Sequence, residues 1–126
     1  MKEIAASWVM LISLVALFCI NSYIVTNVSE SISEEIETVK TAIESGDTEK
    51  AAEIFSKSNG KWQKQIKKML YIYPHKELDE IKRVIFLSDQ YISSNEFETA
   101  HIRLSEAQYL LEALQEDEKI TLDNIF

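Results

Sequence analysis

The stretch at residues 71–81 concentrates the side chains that could carry out chemistry. His75 lies close to Glu77 and Asp79, a combination that could serve acid–base catalysis or bind a metal ion. We expect these three side chains to spread around the start of a helix, whereas metal ligands converge on one point. We therefore interpret the acidic residues as partners of the helix dipole, and His75 as a residue that caps or packs the turn.

His101 is the other histidine, and it borders the apolar stripe of the last predicted helix. Glu98, one helical turn earlier, is its expected partner. The single cysteine, Cys19, lies within an apolar run, so a zinc site built from thiolates is excluded. The chain contains no GxSxG, HExxH, glycine-rich phosphate loop or calcium loop. We predict no cofactor, no metal and no enzymatic activity, and keep an envelope hydrolase as the least favoured alternative.

The composition indicates an all-α protein. Among 126 residues there are only 2 glycines and 1 proline, whereas sheets and irregular loops need such turn residues. The net charge of −8 repels nucleic-acid phosphates, so we predict no nucleic-acid partner.

An uncharged apolar run covers residues 4–28. As a helix it would span roughly 37 Å, against about 30 Å of bilayer hydrocarbon. Trp8 and Tyr23 lie near its two ends, where amphipathic rings prefer the membrane interface. A cleaved signal peptide is the main competitor, but an Ala-x-Ala cleavage pattern is missing. We predict an uncleaved signal anchor over residues 1–28, which would hold the protein in the bilayer.

The charges that flank this run predict its orientation. Lys2 and the amino terminus precede it, and the next basic residue is Lys40, after four glutamates. The positive-inside rule then places the amino terminus in the cytoplasm and the remaining domain outside a bacterial cell membrane, as a single-pass protein.

The remainder of the chain predicts four amphipathic helices, the first continuous with the anchor. Breaks are expected at residues 45–48, at Pro74 and at residues 93–96, while the phase of the apolar stripe continues through Asn59 and Gly60. We predict an antiparallel four-helix bundle of two helical hairpins over residues 29–119, followed by an apolar tail over residues 120–126. An open pair of hairpins is the alternative.

Basic residues concentrate in residues 57–83, which hold eight Lys or Arg and three acids. At helical spacing, one face carries Lys57, Lys61, Lys64 and Lys68. This face could pair with acidic helices across the bundle, or it could bind anionic lipid or an acidic partner.

Four short motifs occur along the chain after the apolar run. They are Trp62 in a lysine-rich helix, residues 75–81 beginning with His75, residues 105–111, and the ending Leu122-Asp123-Asn124-Ile125-Phe126. With the N-terminal anchor, these motifs resemble domain-of-unknown-function family 4363, short bacterial proteins with an N-terminal anchor and a helical domain. The resemblance implies no established activity. It implies a membrane-protein partner, because members are often encoded beside another membrane protein.

We therefore predict a non-enzymatic accessory protein that acts through a membrane-protein partner, with a homo-oligomer also open. The candidate interaction residues are Lys57, Lys61, Lys64, Lys68, His75, Ile125 and Phe126. The alternative is an extracytoplasmic sensor that binds a small ligand in a cavity lined by Trp62, Tyr71, Tyr73, Tyr91 and Tyr109.

Overall fold

The computed structural model describes residues 1–72 and 76–125, with the side chains of residues 121, 122 and 125 left out. It consists of four helices: α1 Lys2–Glu44, α2 Thr48–Ile72, α3 Lys76–Ser93 and α4 Phe97–Ile125. Each helix packs against the next one in the chain, and α4 also packs against α1. Only three residues separate each helix from the next, so neighbouring helices are antiparallel. The predicted four-helix bundle is confirmed, and α2 and α4 occupy diagonal corners.

Two equivalent turns end α1 and α3. Gly46 has a φ of +83° and Asn95 a φ of +60°, the left-handed conformation that favours these residue types. After α1, the Gly46 and Asp47 amides donate to the carbonyls of Ile43 and Ala42, each at 3.0 Å. After α3, the Asn95 and Glu96 amides bond back in the same pattern, at 3.1 and 2.8 Å. Both turns satisfy the last carbonyls of a helix and reverse the chain, which explains the two hairpins.

Helix α2 is continuous through Asn59 and Gly60, as the phase of its apolar stripe predicts. A Cβ placed on Gly60 would meet nothing within 4 Å, so no close approach requires glycine at this position. The glycine therefore only weakens the helix, by about 1 kcal/mol relative to alanine.

The predicted apolar stripes form one core. Trp62 at its centre is fully buried, and its ring meets the Phe55 ring edge-on, with 5.6 Å between ring centroids. The other large, fully buried side chains are Ile32, Ile36, Ile66, Met69, Leu78, Ile81, Ile85, Leu104, Leu111 and Leu114. All four helices contribute to this core, which fixes how they are rotated about their axes.

Helix α1 has two different halves. Every side chain from Lys2 to Leu17 is exposed, whereas Ser22, Val25, Ser29 and Ile32 begin a buried stripe. The exposed half is long and apolar enough to cross a membrane, by length and composition. No break in α1 separates the expected anchor, residues 1–28, from the bundle, and residues 120–125 of the expected tail continue α4.

The two glycines provide a matched test of this backbone. Gly60→Ala should raise the free energy of unfolding by about 0.5–1 kcal/mol, because alanine is the better helix former and meets no neighbour. Gly46→Ala should lower it by about 1 kcal/mol, because a Cβ strains the left-handed conformation. Trp62 fluorescence in a Trp8→Phe background would follow urea unfolding in detergent. A loss of stability in Gly60→Ala would contradict the continuous α2.

Candidate functional site

The end of the bundle nearest the exposed half of α1, here called the anchor-side end, is closed by a buried polar contact. Ser22 on α1 donates a hydrogen bond of 2.5 Å to the Glu118 carboxylate on α4. Both residues are 3% exposed. Two turns further into the bundle, the Ser29 hydroxyl is buried without a partner among the described residues. The last turns of α4 thus lie against the part of α1 that follows its exposed apolar half.

Helix α2 ends at the same end of the bundle. Trp62 of α2 contacts Glu35 of α1, and the two helices are antiparallel. Helix α2 continues for ten residues beyond Trp62, about 15 Å, and ends at Ile72. Counting ten residues back from Glu35 on the antiparallel α1 places Ile72 level with Val25. The start of α3 at Lys76 is at this end too, since only three residues separate it from Ile72.

The four lysines predicted to share a face are all exposed on the outer side of α2, but their partners differ. Lys57 pairs with Glu53 of its own helix at 2.9 Å, and Lys61 pairs with Glu35 of α1 at 2.6 Å. Lys64 and Lys68 form no ion pair with a described carboxylate. The four lysines are therefore exposed together on α2, and among the described residues Lys61 alone pairs with a carboxylate of a neighbouring helix.

Glu35 links the α1–α2 seam to the core. Its two carboxylate oxygens accept from the Lys61 ammonium at 2.6 Å and from the Trp62 indole N–H at 3.1 Å. Burial raises the pKa of Glu35, but hydrogen bonds from Lys61, Trp62 and Ser58, with the charge of Lys61, outweigh burial and hold the pKa below its ordinary value. The indole N–H of the buried Trp62 is thereby satisfied, which fixes the ring against Phe55.

A second polar cluster joins α1 to α4. The Gln108 amide donates to the Glu37 carboxylate at 2.8 Å and to the Ser33 carbonyl at 3.1 Å. Its carbonyl oxygen accepts from Lys40 at 2.6 Å. The hydrogen bond from Gln108, assisted by the positive charge of Lys40, lowers the pKa of Glu37 although partial burial opposes it. Since every one of these contacts depends on relative helix position, the cluster sets the register of α4 on α1.

His101 has a different partner from the one expected. Its Nε2 lies 2.8 Å from the Glu44 carboxylate on α1, and the expected partner Glu98 is not hydrogen-bonded to it. The prediction of a Glu98 partner is wrong because α1 packs beside α4, so the flanking histidine faces a carboxylate on the neighbouring helix. His101 therefore belongs to the α1–α4 seam.

The aromatic residues proposed for a ligand cavity do not share one. Trp62 is in the core, whereas Tyr71 and Tyr109 are 82% and 71% exposed on the outside of the bundle. Tyr91 packs partly buried against the core beside α4. Tyr73 lies outside the described residues. The four described members of this set thus lie in the core, at its edge and on the outside of the bundle, and not around one cavity.

Among the candidate interaction residues, His75 and Phe126 also lie outside the described residues, and Ile125 is described only as the last residue of α4. Sequence reasoning did not single out Glu118 or Gln108, which carry the α1–α4 contacts. Glu118 falls four residues after the core residue Leu114, and that spacing was an available signal for burial.

Glu35 should give the fold an acid-sensitive component. Its folded pKa is below its unfolded value, so the unfolded state binds more protons in acid. The stability it adds is complete above about pH 5 and is lost as the pH falls through the folded pKa. Glu35→Gln should reduce stability at neutral pH by about 1 kcal/mol and flatten the acid limb of the curve.

Trp62 fluorescence during urea unfolding across pH would measure both effects in a Trp8→Phe background. Glu34→Gln is the matched control, since Glu34 is an exposed neighbour. Equal acid limbs in the Glu35→Gln variant and the parent would contradict the role assigned to Glu35.

Comparison with known proteins places the chain in a family. A family model described as a domain of unknown function, DUF4363, matches residues 18–125. No curated protein and no solved structure matches the chain. The matched region begins at residue 18, directly after the exposed half of α1, and includes the whole bundle, so it covers the Ser22–Glu118 contact and both polar seams. The chain therefore belongs to the DUF4363 family.

Proposed function

We propose that this protein is a non-enzymatic accessory protein, anchored in a bacterial cell membrane by α1, that acts through a membrane-protein partner. The observation that supports the proposal most directly is the continuity of α1. A single helix of 43 residues carries an exposed apolar half and the first stripe of the bundle core. Such a helix would hold the bundle at a constant distance from the bilayer and raise its effective concentration near a partner.

The exposed half of α1 is also the first surface a membrane partner would meet. Its large apolar side chains are unpacked, with Trp8 60% and Leu11 52% exposed. Ser7 bonds back to the Glu3 carbonyl at 2.9 Å, which keeps its hydroxyl satisfied in an apolar environment. A helix of this kind can contact lipid on most sides and a partner helix on one side.

The proposed orientation, with the bundle outside the cell, is open to a direct labelling test. Glu112 is exposed on α4, so a cysteine there should react without disturbing the core. In a Cys19→Ser, Glu112→Cys variant, an impermeant maleimide should label intact cells to the same extent as lysed cells. A cysteine at Glu3, on the cytoplasmic side, is the matched control and should react only after lysis. The reverse pattern would place the bundle in the cytoplasm.

The proposed partner can be sought by photo-crosslinking in native membranes. A photoreactive residue at Leu11 should capture one membrane protein reproducibly, whereas the same residue at the exposed Glu98, far from the bilayer, should not. Tagging the captured protein should recover this chain in return. Self-crosslinks alone would indicate a homo-oligomer and contradict the accessory proposal.

Deleting residues 120–126 would then test the C-terminal residues. Capture lost from a protein whose bundle remains folded would assign them to the interface. Unfolding would assign them to the bundle, where α4 meets α1.

A further inference from the structure

One corner of the anchor-side end presents bulky apolar and basic side chains together. Tyr71 is 82% exposed and Ile72 is 42% exposed. Beside them on α2, and at the start of α3, Lys67, Lys68 and Lys76 are exposed and form no ion pair with a described carboxylate. We call these five residues the α2 corner. The α2 corner thus combines an exposed aromatic ring and an exposed aliphatic side chain with three lysines, whose long side chains can extend toward a neighbouring surface.

The diagonal corner of the same end has the opposite charge. Helix α2 carries six lysines and two glutamates, a net charge of +4, whereas α4 carries seven acids against Arg103 and Lys119, a net charge of −5. Glu112, Glu116 and Asp123 are exposed near the end of α4. An anionic surface placed below the bundle would therefore attract the α2 corner and repel the α4 corner.

The α2 corner lies where the surface of a bilayer would be. Counting about 20 residues of hydrocarbon from Ile4 reaches the far boundary near Tyr23, whose side chain is 69% exposed. Ile72 is level with Val25, so Tyr71 and Lys68 lie within a turn or two of that boundary. Tyrosine rings prefer this interfacial region, and lysine ammonium groups can reach lipid phosphates from it.

We propose that the α2 corner docks on the phosphate headgroups of an anionic leaflet and tilts the bundle toward α2 and away from α4. The proposal rests on the anchoring role proposed for α1. Each lysine near an anionic membrane surface shifts the docked-to-undocked ratio by about fivefold, the equivalent of about 1 kcal/mol. Lys67 and Lys68 together should contribute about 25-fold, an effect that salt would weaken.

The test uses the full chain with Cys19→Ser, spin-labelled at one introduced cysteine and reconstituted in nanodiscs. One set contains phosphatidylcholine alone, and in the other about a third of the lipid is phosphatidylglycerol. Collision with a water-soluble nickel complex, compared with collision with oxygen, reports the depth of the label. A label at Tyr71→Cys should lose several-fold of its nickel accessibility when phosphatidylglycerol is present. A label at Glu116→Cys, which is at a similar height on α4, should keep its accessibility.

Two double variants of equal net charge distinguish docking through the α2 corner from attraction that depends only on the net charge of the protein. Lys67→Gln with Lys68→Gln should restore nickel access to the label at position 71. Lys50→Gln with Lys57→Gln, nearer the opposite end of α2, should leave the protection intact. Equal access in the two lipids, or protection that is lost in both charge variants, would overturn the docking proposal.

A third label identifies which proposal has failed. At Leu14→Cys, within the apolar half of α1, the label should be reached by oxygen and not by nickel in both lipids. Nickel access at Leu14→Cys would overturn the anchor and the docking proposal with it. A protected Leu14→Cys label together with an unprotected Tyr71→Cys label would overturn docking alone.

Discussion

Helix α1 has to present two incompatible surfaces along one unbroken backbone, and the rest of the structure depends on how it does so. Its first half exposes apolar side chains on all sides, while its second half buries a single stripe that includes Ile32, Ile36 and Val39. The other three helices pack around that second half. Helix α2 ends level with Val25, and α4 contacts Ser22 through Glu118 before it continues to Ile125. The buried stripe of α1 thus begins at the level where α2 ends and Glu118 of α4 makes its contact.

Polar contacts specify how the helices are arranged around α1. Glu35 receives one bond from a lysine at the surface and one from the indole of the core residue Trp62. Gln108 accepts one hydrogen bond and donates two, and all three join α4 to α1. Exposed ion pairs add little stability, but contacts that combine buried donors with charged acceptors penalise any slip of one helix along another. Charge is therefore paired along the two seams of α1, whereas Lys64 and Lys68 on the outer side of α2 form no ion pair with a described carboxylate.

Most of the fold could be predicted from the spacing of apolar residues. The stripes of α2, α3 and α4, the turn at Gly46 and the continuity of α2 through Gly60 all follow from local sequence, because periodicity and turn chemistry are local properties. The partner of His101 could not be predicted in this way. Choosing Glu44 over Glu98 requires the relative rotation of α1 and α4, which no single helix encodes. The contact between Ser22 and Glu118 could not be predicted either, because these residues are 96 apart in the chain and meet only when α1 and α4 are placed side by side.

That contact has a consequence for how the protein is made. Helix α4 follows the other three helices in the chain, and it packs against both α3 and α1. Leu104, Leu111 and Leu114 of α4 are fully buried in the bundle. Until α4 emerges from the ribosome, the faces of α1 and α3 against which it packs are therefore exposed. Ser22 also stays without its carboxylate until then. The first three helices would therefore remain partly open until α4 packs against them, and the last helix of the chain would complete the bundle.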